Sequence, residues 1–127
     1  MPRPIPVEQA LVAYLGPLVS PATVATRVPQ SRPAAFVKVT RVGGDVLSIG
    51  QSRPRVLVEC WASTDSAAWN LAATSWDALW DARDLPEIRP GVAVMDAELT
   101  EPVNFPDAAS GSPRYQFLAS LTVNLKE

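Results

Sequence analysis

The last quarter of the chain contains a long run in which hydrophobic and polar residues alternate. From Tyr115 to Leu125 every second residue is apolar, and Leu118 is the only large apolar residue between them. Side chains of a strand point alternately to its two faces, so the pattern predicts a strand over 115–125 with one buried face. A turn-rich loop with Pro106 and Gly111 precedes it. The fold must therefore contain a sheet with one covered face.

The remaining sequence predicts two helices and further strands around this sheet. Hydrophobic residues at helical spacing predict a helix over 7–19, and an alanine-rich segment after the capping residues 63–65 predicts a longer one over 66–83. Runs rich in β-branched residues predict strands over 23–28, 35–42, 55–62 and 91–99. The order α-β-β-β-α-β-β favours an α+β fold, with two helices on one face of a mainly antiparallel, mixed sheet of about four to five strands.

A glycine-rich segment separates the second and third predicted strands. Gly43 and Gly44, followed by Asp45, are a strong turn signal. We therefore expect a β-hairpin whose tip is a loop over residues 43–54.

Composition restricts the chemistry that this chain can perform. Its 127 residues are expected to form a single domain, 1–127, and they include no histidine and one cysteine. Without histidine the commonest general base and metal ligand are missing, and Cys60, which alternates with Val56 and Val58, is expected to be a packed core thiol. Asp96 and Glu98 share a strand face, which favours a solvated surface over a catalytic carboxylate pair. We predict no catalytic, cofactor or metal site and no enzymatic activity.

The charge and hydropathy pattern excludes two further classes of protein. A net charge of −2 argues against a nucleic-acid binder that works through a broad basic patch. No segment approaches the roughly 20 apolar residues that a membrane helix needs. We therefore expect a protein that acts by packing against other chains.

The second helix carries two apolar stripes. One consists of small and medium residues: Ala68, Leu71, Ala72, Ser75 and Leu79. The other contains Trp69, Trp76 and Trp80, and the two together are wider than one sheet contact requires. The tryptophans either complete the core or form a subunit interface, for which tryptophan is a favoured anchor.

Two segments are expected to be contact loops that become ordered when a partner binds, namely residues 43–54 and 102–113. Both are rich in turn formers and poor in large apolar residues. The candidate contact residues in or directly beside these segments are Asp45, Arg53, Glu101, Asn104, Asp107 and Arg114.

Three segments in this order resemble the tail terminator, or tail completion, proteins of long-tailed actinobacterial phages. They are FVKVTRVGG, RVLVECWASTDSAAWNLA and PVNFPDAASGSPRYQFLASLTVNL, and the likeness covers roughly residues 5–125. The family pattern is matched most closely at residues 58–62 and 102–117.

The resemblance implies a small α/β subunit of a hexameric ring. Such a ring caps the completed tail tube, stops its polymerisation and provides the surface that joins tail to head. The implied partners are further copies of the chain, the major tail tube protein, a head-closure or connector protein, and genomic DNA that passes through the lumen without specific binding. The implied location is the neck of the virion, after assembly in the host cytoplasm. Two alternatives stay open: another neck component, such as a head-closure or adaptor protein, and an unrelated protein-binding module.

Overall fold

A computed structural model of the protein describes residues 6–29, 31 and 33–125, with Leu125 described by its backbone alone. The helices are α1 (Val7–Val19) and α2 (Asp65–Asp81), and a short 3₁₀ helix (Ala82–Asp84) follows α2. The strands are β1 (Thr23–Ala25), β2 (Phe36–Ser48), β3 (Gln51–Trp61), β4 (Val92–Leu99), β5 (Val103–Asn104) and β6 (Arg114–Leu125). The described residues confirm the expected α+β class and the order of its main elements.

The strands form one mixed sheet in the order β1-β2-β3-β6-β4. β1 runs parallel to β2, and all other neighbours are antiparallel. The short strand β5, which sequence patterns did not predict, pairs with the beginning of β6, next to the end of β4. β6 therefore lies inside the sheet and is paired on both sides.

One face of this sheet is covered by the two helices and carries the core. The register aligns Val39 of β2, Val58 of β3 and Phe117 of β6 in one row, and all three are buried. Alternate residues of β6 continue the buried face as far as Val123. The alternation predicted for the last strand is confirmed.

Local sequence signals explain how the helices begin and how they are joined. The hydroxyl of Thr64 accepts a hydrogen bond from the Ala67 amide at 3.1 Å, which caps α2. The Tyr14 hydroxyl of α1 donates to the Ala78 carbonyl oxygen of α2 at 2.7 Å. The Tyr14–Ala78 hydrogen bond joins the two helices on the covered face of the sheet.

The hairpin differs from the sequence prediction. Residues 43–54 are not a loop, because β2 continues to Ser48, β3 begins at Gln51, and only the intervening residues turn. Gly44 has a φ of +128°, and a Cβ there would collide with the Arg53 carbonyl oxygen. The glycine thus permits close approach of two strands. β6 also extends alongside, pairing Gln51 with Asn124, so the hairpin belongs to the main sheet.

Within the described part of the chain, no helix is long and apolar enough to cross a membrane.

Candidate interaction surfaces

The small-residue stripe of α2 and its tryptophan stripe have different environments. Buried residues of the helix are mostly small and face the sheet: Ala68, Ala72, Ser75, Ala78 and Leu79. Trp69 and Trp80 are 45% and 40% exposed, and Trp76 is half-buried. We refer to Trp69, Trp76 and Trp80 as the tryptophan surface. It lies at the edge of the core and presents aromatic area to the outside.

The tryptophan surface is held in place by contacts within the chain. The rings of Trp76 and Trp80 are stacked with centroids 5.4 Å apart, and the guanidinium carbon of Arg83 lies 3.8 Å from the Trp80 ring centroid. The Trp76 Nε1–H donates to the Thr100 carbonyl oxygen at 3.0 Å. Trp69 meets Tyr115 edge to face, with centroids 5.5 Å apart. Because these side chains are already ordered, little conformational entropy remains to be lost on binding.

A groove of about 220 Å³ separates α2 from the segment after β4. Its walls are mainly apolar and include Trp69, Trp76 and Pro102, while Asp77 and Glu101 supply carboxylates. Glu101 is thus brought beside the tryptophan surface, a proximity that the sequence spacing did not reveal.

Arg114 belongs to an ionic cluster on the helix-free face of the sheet. Its Nη1 lies 3.1 Å from Oε2 of the buried Glu59, and Lys38 Nζ lies 3.8 Å from Oε1 of the same carboxylate. Arg114 Nε also donates to the Phe105 carbonyl oxygen at 2.8 Å. The prediction that Arg114 lies in a loop was wrong, because it lies on β6, where its Nε and Nη1 groups bind the chain itself. Its contact with a partner stays a prediction.

The loop between β5 and β6 is held together by Asp107. The carboxylate of Asp107 accepts hydrogen bonds from the Ala109 amide at 3.2 Å and from the Ser110 hydroxyl at 2.8 Å. The backbone of Asp107 bonds both Gly111 and Ser112. The expectation that this loop cannot order itself without a partner was therefore wrong for residues 107–112. Asn104 does not lie in a loop either, since it pairs with Tyr115 in the sheet.

Asp45 and Arg53 face each other across the hairpin. Both are strand residues, so the prediction that they lie in a contact loop was wrong. The Arg53 guanidinium lies 2.5 Å from a Glu98 carboxylate oxygen, which links β3 to β4 across β6. This pair is solvent-exposed and contributes roughly 0–1 kcal/mol to stability.

The end of the hairpin exposes large apolar side chains that sequence analysis missed. These residues, the hairpin end, are Val42, Val46, Leu47 and Ile49. Ile49 is 79% exposed, the highest value among the large hydrophobic residues described. Three apolar residues, Val46, Leu47 and Ile49, lie within four positions of a segment expected to be poor in large apolar residues, and they were the signal that could have revealed this surface.

The described residues confirm two expectations about chemically reactive groups. Cys60 is fully buried, with its sulfur 3.9 Å from the Ser75 hydroxyl oxygen, and burial raises the pKa of its thiol to about 12. It is a core residue and a poor nucleophile. Asp96 and Glu98 are exposed, as expected for a solvated face. Among residues 6–29, 31 and 33–125, no three His, Cys, Asp or Glu side chains are grouped to hold a metal ion.

Comparison of the sequence with models of known protein families, and with characterised proteins, finds no match.

Proposed function

We propose that the protein is a structural virion protein, a ring-forming tail terminator of a long-tailed phage. Its ring, a homohexamer in the family that the sequence resembles, caps the tail tube, ends tube polymerisation and offers the surface to which the head is joined. The protein acts by binding alone, in the neck of the virion, after assembly in the host cytoplasm.

The observation that carries this proposal is the presence of two unlike apolar surfaces on one small chain. The tryptophan surface lies on α2, and the hairpin end lies where β2 turns into β3. Monomeric proteins seldom expose contiguous apolar patches without a binding role. A cyclic ring joins one patch of each subunit to a different patch of the next or to a partner, so unlike surfaces are what it requires.

The charges of the chain are compatible with a ring through which DNA passes. The net charge is −2, and Glu101 is exposed. Carboxylates that face a lumen would repel phosphate, which discourages DNA from sticking during passage. The DNA is accordingly proposed as a passing partner without a specific site, while the tail tube protein and a head-closure or connector protein are the proposed binding partners.

Tail tubes provide the test of this function. Tube protein of a long-tailed actinobacterial phage is polymerised with and without the purified protein, and tube ends and lengths are measured by negative-stain electron microscopy. The proposal expects a ring at one end of each tube and shorter tubes as more protein is added. Tubes polymerised alone are the control.

The same preparation separates the competing functions. Rings that do not bind tubes but do bind isolated portal–connector complexes would assign the protein to the head side of the neck. A monomer that binds neither would contradict a role in the neck and leave a protein-binding module.

A further inference from the structure

The sheet has two edges whose outer sides lack a strand partner over most of their length. On one side β1 pairs with β2 only at Phe36, Val37 and Lys38. Further along, the Arg41 amide donates to the Glu8 carboxylate of α1 at 3.0 Å, which leaves residues 42–48 as the open part of this edge among the described residues. On the other side β4 is the last strand, and only an isolated bridge between Arg89 and Val92 touches its beginning. Unpaired strand edges are templates for pairing with another chain.

The open part of β2 is exposed and carries apolar side chains. Every residue from 42 to 48 is exposed, and Val42, Val46 and Leu47 are apolar. The facing residues of β3 are covered, since Ser52 and Pro54 are buried. Natural edges are usually protected by charges, prolines, short length or β-bulges. This one has two bulge-type irregularities but no proline, and Asp45 is its only charge after Arg41.

The two edges match each other in direction. β2 and β6 run one way and β3 and β4 run the other, since each neighbouring pair is antiparallel. Two copies placed side by side in the same orientation would bring β2 of one next to β4 of the other, also antiparallel. The alternation of strand directions would then continue unbroken from copy to copy.

Both edge strands depart from regular strand geometry. β2 has irregularities of β-bulge type between Arg41 and Gly43 and between Val46 and Ser48, and β4 has one between Val94 and Asp96. Bulges increase strand twist and bending, which a sheet needs in order to close on itself.

We propose that residues 42–48 of β2 pair antiparallel with β4 of a second copy of this chain, so that neighbouring subunits share one continuous sheet. The inference rests on the proposed function for the closing of the ring. The pairing itself follows from the two edges. Each subunit uses its β2 edge toward one neighbour and its β4 edge toward the other, which is a head-to-tail contact.

Two lysine substitutions test the pairing, one at each edge. Leu47→Lys places a charge on the β2 edge, and Met95→Lys places one on the β4 edge, at a side chain that is 54% exposed. The matched control is Leu18→Lys on α1, since Leu18 and Leu47 are both 49% exposed. Sedimentation velocity gives the oligomeric state, and thermal unfolding at a concentration where all are monomeric shows that each variant is folded.

The decisive sample is a mixture of the two edge variants. Each variant alone should be a monomer, but an equimolar mixture should form dimers and nothing larger, because one intact β4 edge can meet one intact β2 edge. The wild type and Leu18→Lys should form the full oligomer. Edge variants that assemble like the wild type, or a wild type that stays monomeric up to its solubility limit, would overturn the inference.

Hydrogen exchange of the wild-type oligomer locates the subunit interface directly. Amides of residues 42–48 and 92–99 should exchange at least tenfold more slowly in the oligomer than in the Leu47→Lys monomer. Protection of the α2 amides with no change at these two edges would instead place the subunit interface at the tryptophan surface and overturn the proposed pairing of β2 with β4. If the oligomers are joined at these edges but do not cap tail tubes, the proposed function alone is contradicted. If rings cap the tubes but their edge amides are unprotected, the edge pairing alone is contradicted.

Discussion

At the scale of single residues, the sequence alone suggests that Arg114 is free to bind a partner, but in the fold its guanidinium pairs with Glu59. The Arg114→Ala substitution removes the closer of the two cations that contact the buried Glu59 and leaves Lys38 at 3.8 Å. Breaking a largely buried pair is costly, so we expect a loss of about 2–4 kcal/mol in the free energy of unfolding. Urea denaturation measures it.

The control for Arg114 is Arg55→Ala, which removes an exposed arginine from the neighbouring strand. Its unfolding free energy should stay within about 0.5 kcal/mol of the wild type. Equal losses for the two variants would show that the ionic cluster does not contribute specifically to stability.

The raised pKa of the Cys60 thiol leads us to predict how the free energy of unfolding changes at alkaline pH. This pKa is raised to about 12 in the folded protein from its ordinary value of 9.0, chiefly by burial. As pH rises above 9 the unfolded thiol ionises first, so stability that is present below pH 9 is lost as the pH approaches 12. This contribution lowers the unfolding free energy by up to about 1.4 kcal/mol per pH unit in that window.

The test compares the pH dependence of urea unfolding in the wild type and in Cys60→Ala. The raised pKa of Tyr14, which burial and then Asp81 cause, acts in the same direction and remains in both proteins. The variant should therefore show a shallower decline above about pH 9. An identical slope would mean that the thiol is not sequestered in the folded state.

At the scale of elements, we expect a tryptophan of β3 to contribute to stability and a tryptophan of α2 to contribute to assembly. Trp61 is buried on β3 and stacked on Phe36 with centroids 4.5 Å apart, whereas Trp80 lies partly exposed on the tryptophan surface. Trp61→Ala should cost about 3–5 kcal/mol, as truncation of a buried aromatic residue does. Trp80→Ala should cost about 1–2 kcal/mol, from the lost ring stack and the lost contact with Arg83.

Trp80→Ala should chiefly weaken assembly, measured as ring yield by sedimentation and as tube capping by electron microscopy. Phe117→Ala, at another buried site, is the matched case in which both folding and assembly should fail together. A Trp80→Ala protein that unfolds as readily as Trp61→Ala would place the Trp80 side chain in the core. Full ring yield and full capping would remove the tryptophan surface from assembly.

The hairpin depends on Gly44. Because a Cβ at this position would collide with the backbone of Arg53, Gly44→Ala should force β2 away from β3 and cost about 1–3 kcal/mol. Asp45→Ala is the control, since its side chain is exposed on the same strand. Thermal unfolding of both variants measures the difference, and equal melting temperatures would contradict the close approach.

Sequence patterns predicted those elements whose signals are local. The alternation of β6, the Thr64 cap of α2 and the core position of Cys60 each depend on residues within a few positions. The hairpin was misread because a glycine pair can serve a turn or a close approach of strands, and the choice depends on β6 running alongside. Arg114 was misread for the same reason, since its partner Glu59 lies 55 positions away.

At the scale of the whole molecule, the candidate surfaces divide into two kinds. The hairpin end and the two sheet edges are defined by the path of the backbone, so they can be recognised only once the strand order is known. The tryptophan surface was visible as a helical stripe, but its contacts with Thr100 and Tyr115 were not. A chain with such surfaces is expected to function as one part of a closed assembly, and its stability and its function should respond to different substitutions.

The measurement that tests the ring most directly is native mass spectrometry of the purified protein over a range of concentrations. We expect a closed species of six monomer masses, without a series of larger forms, since a closed ring leaves no free edge. A protein that remains monomeric at every concentration, or that forms an open-ended series, would contradict it.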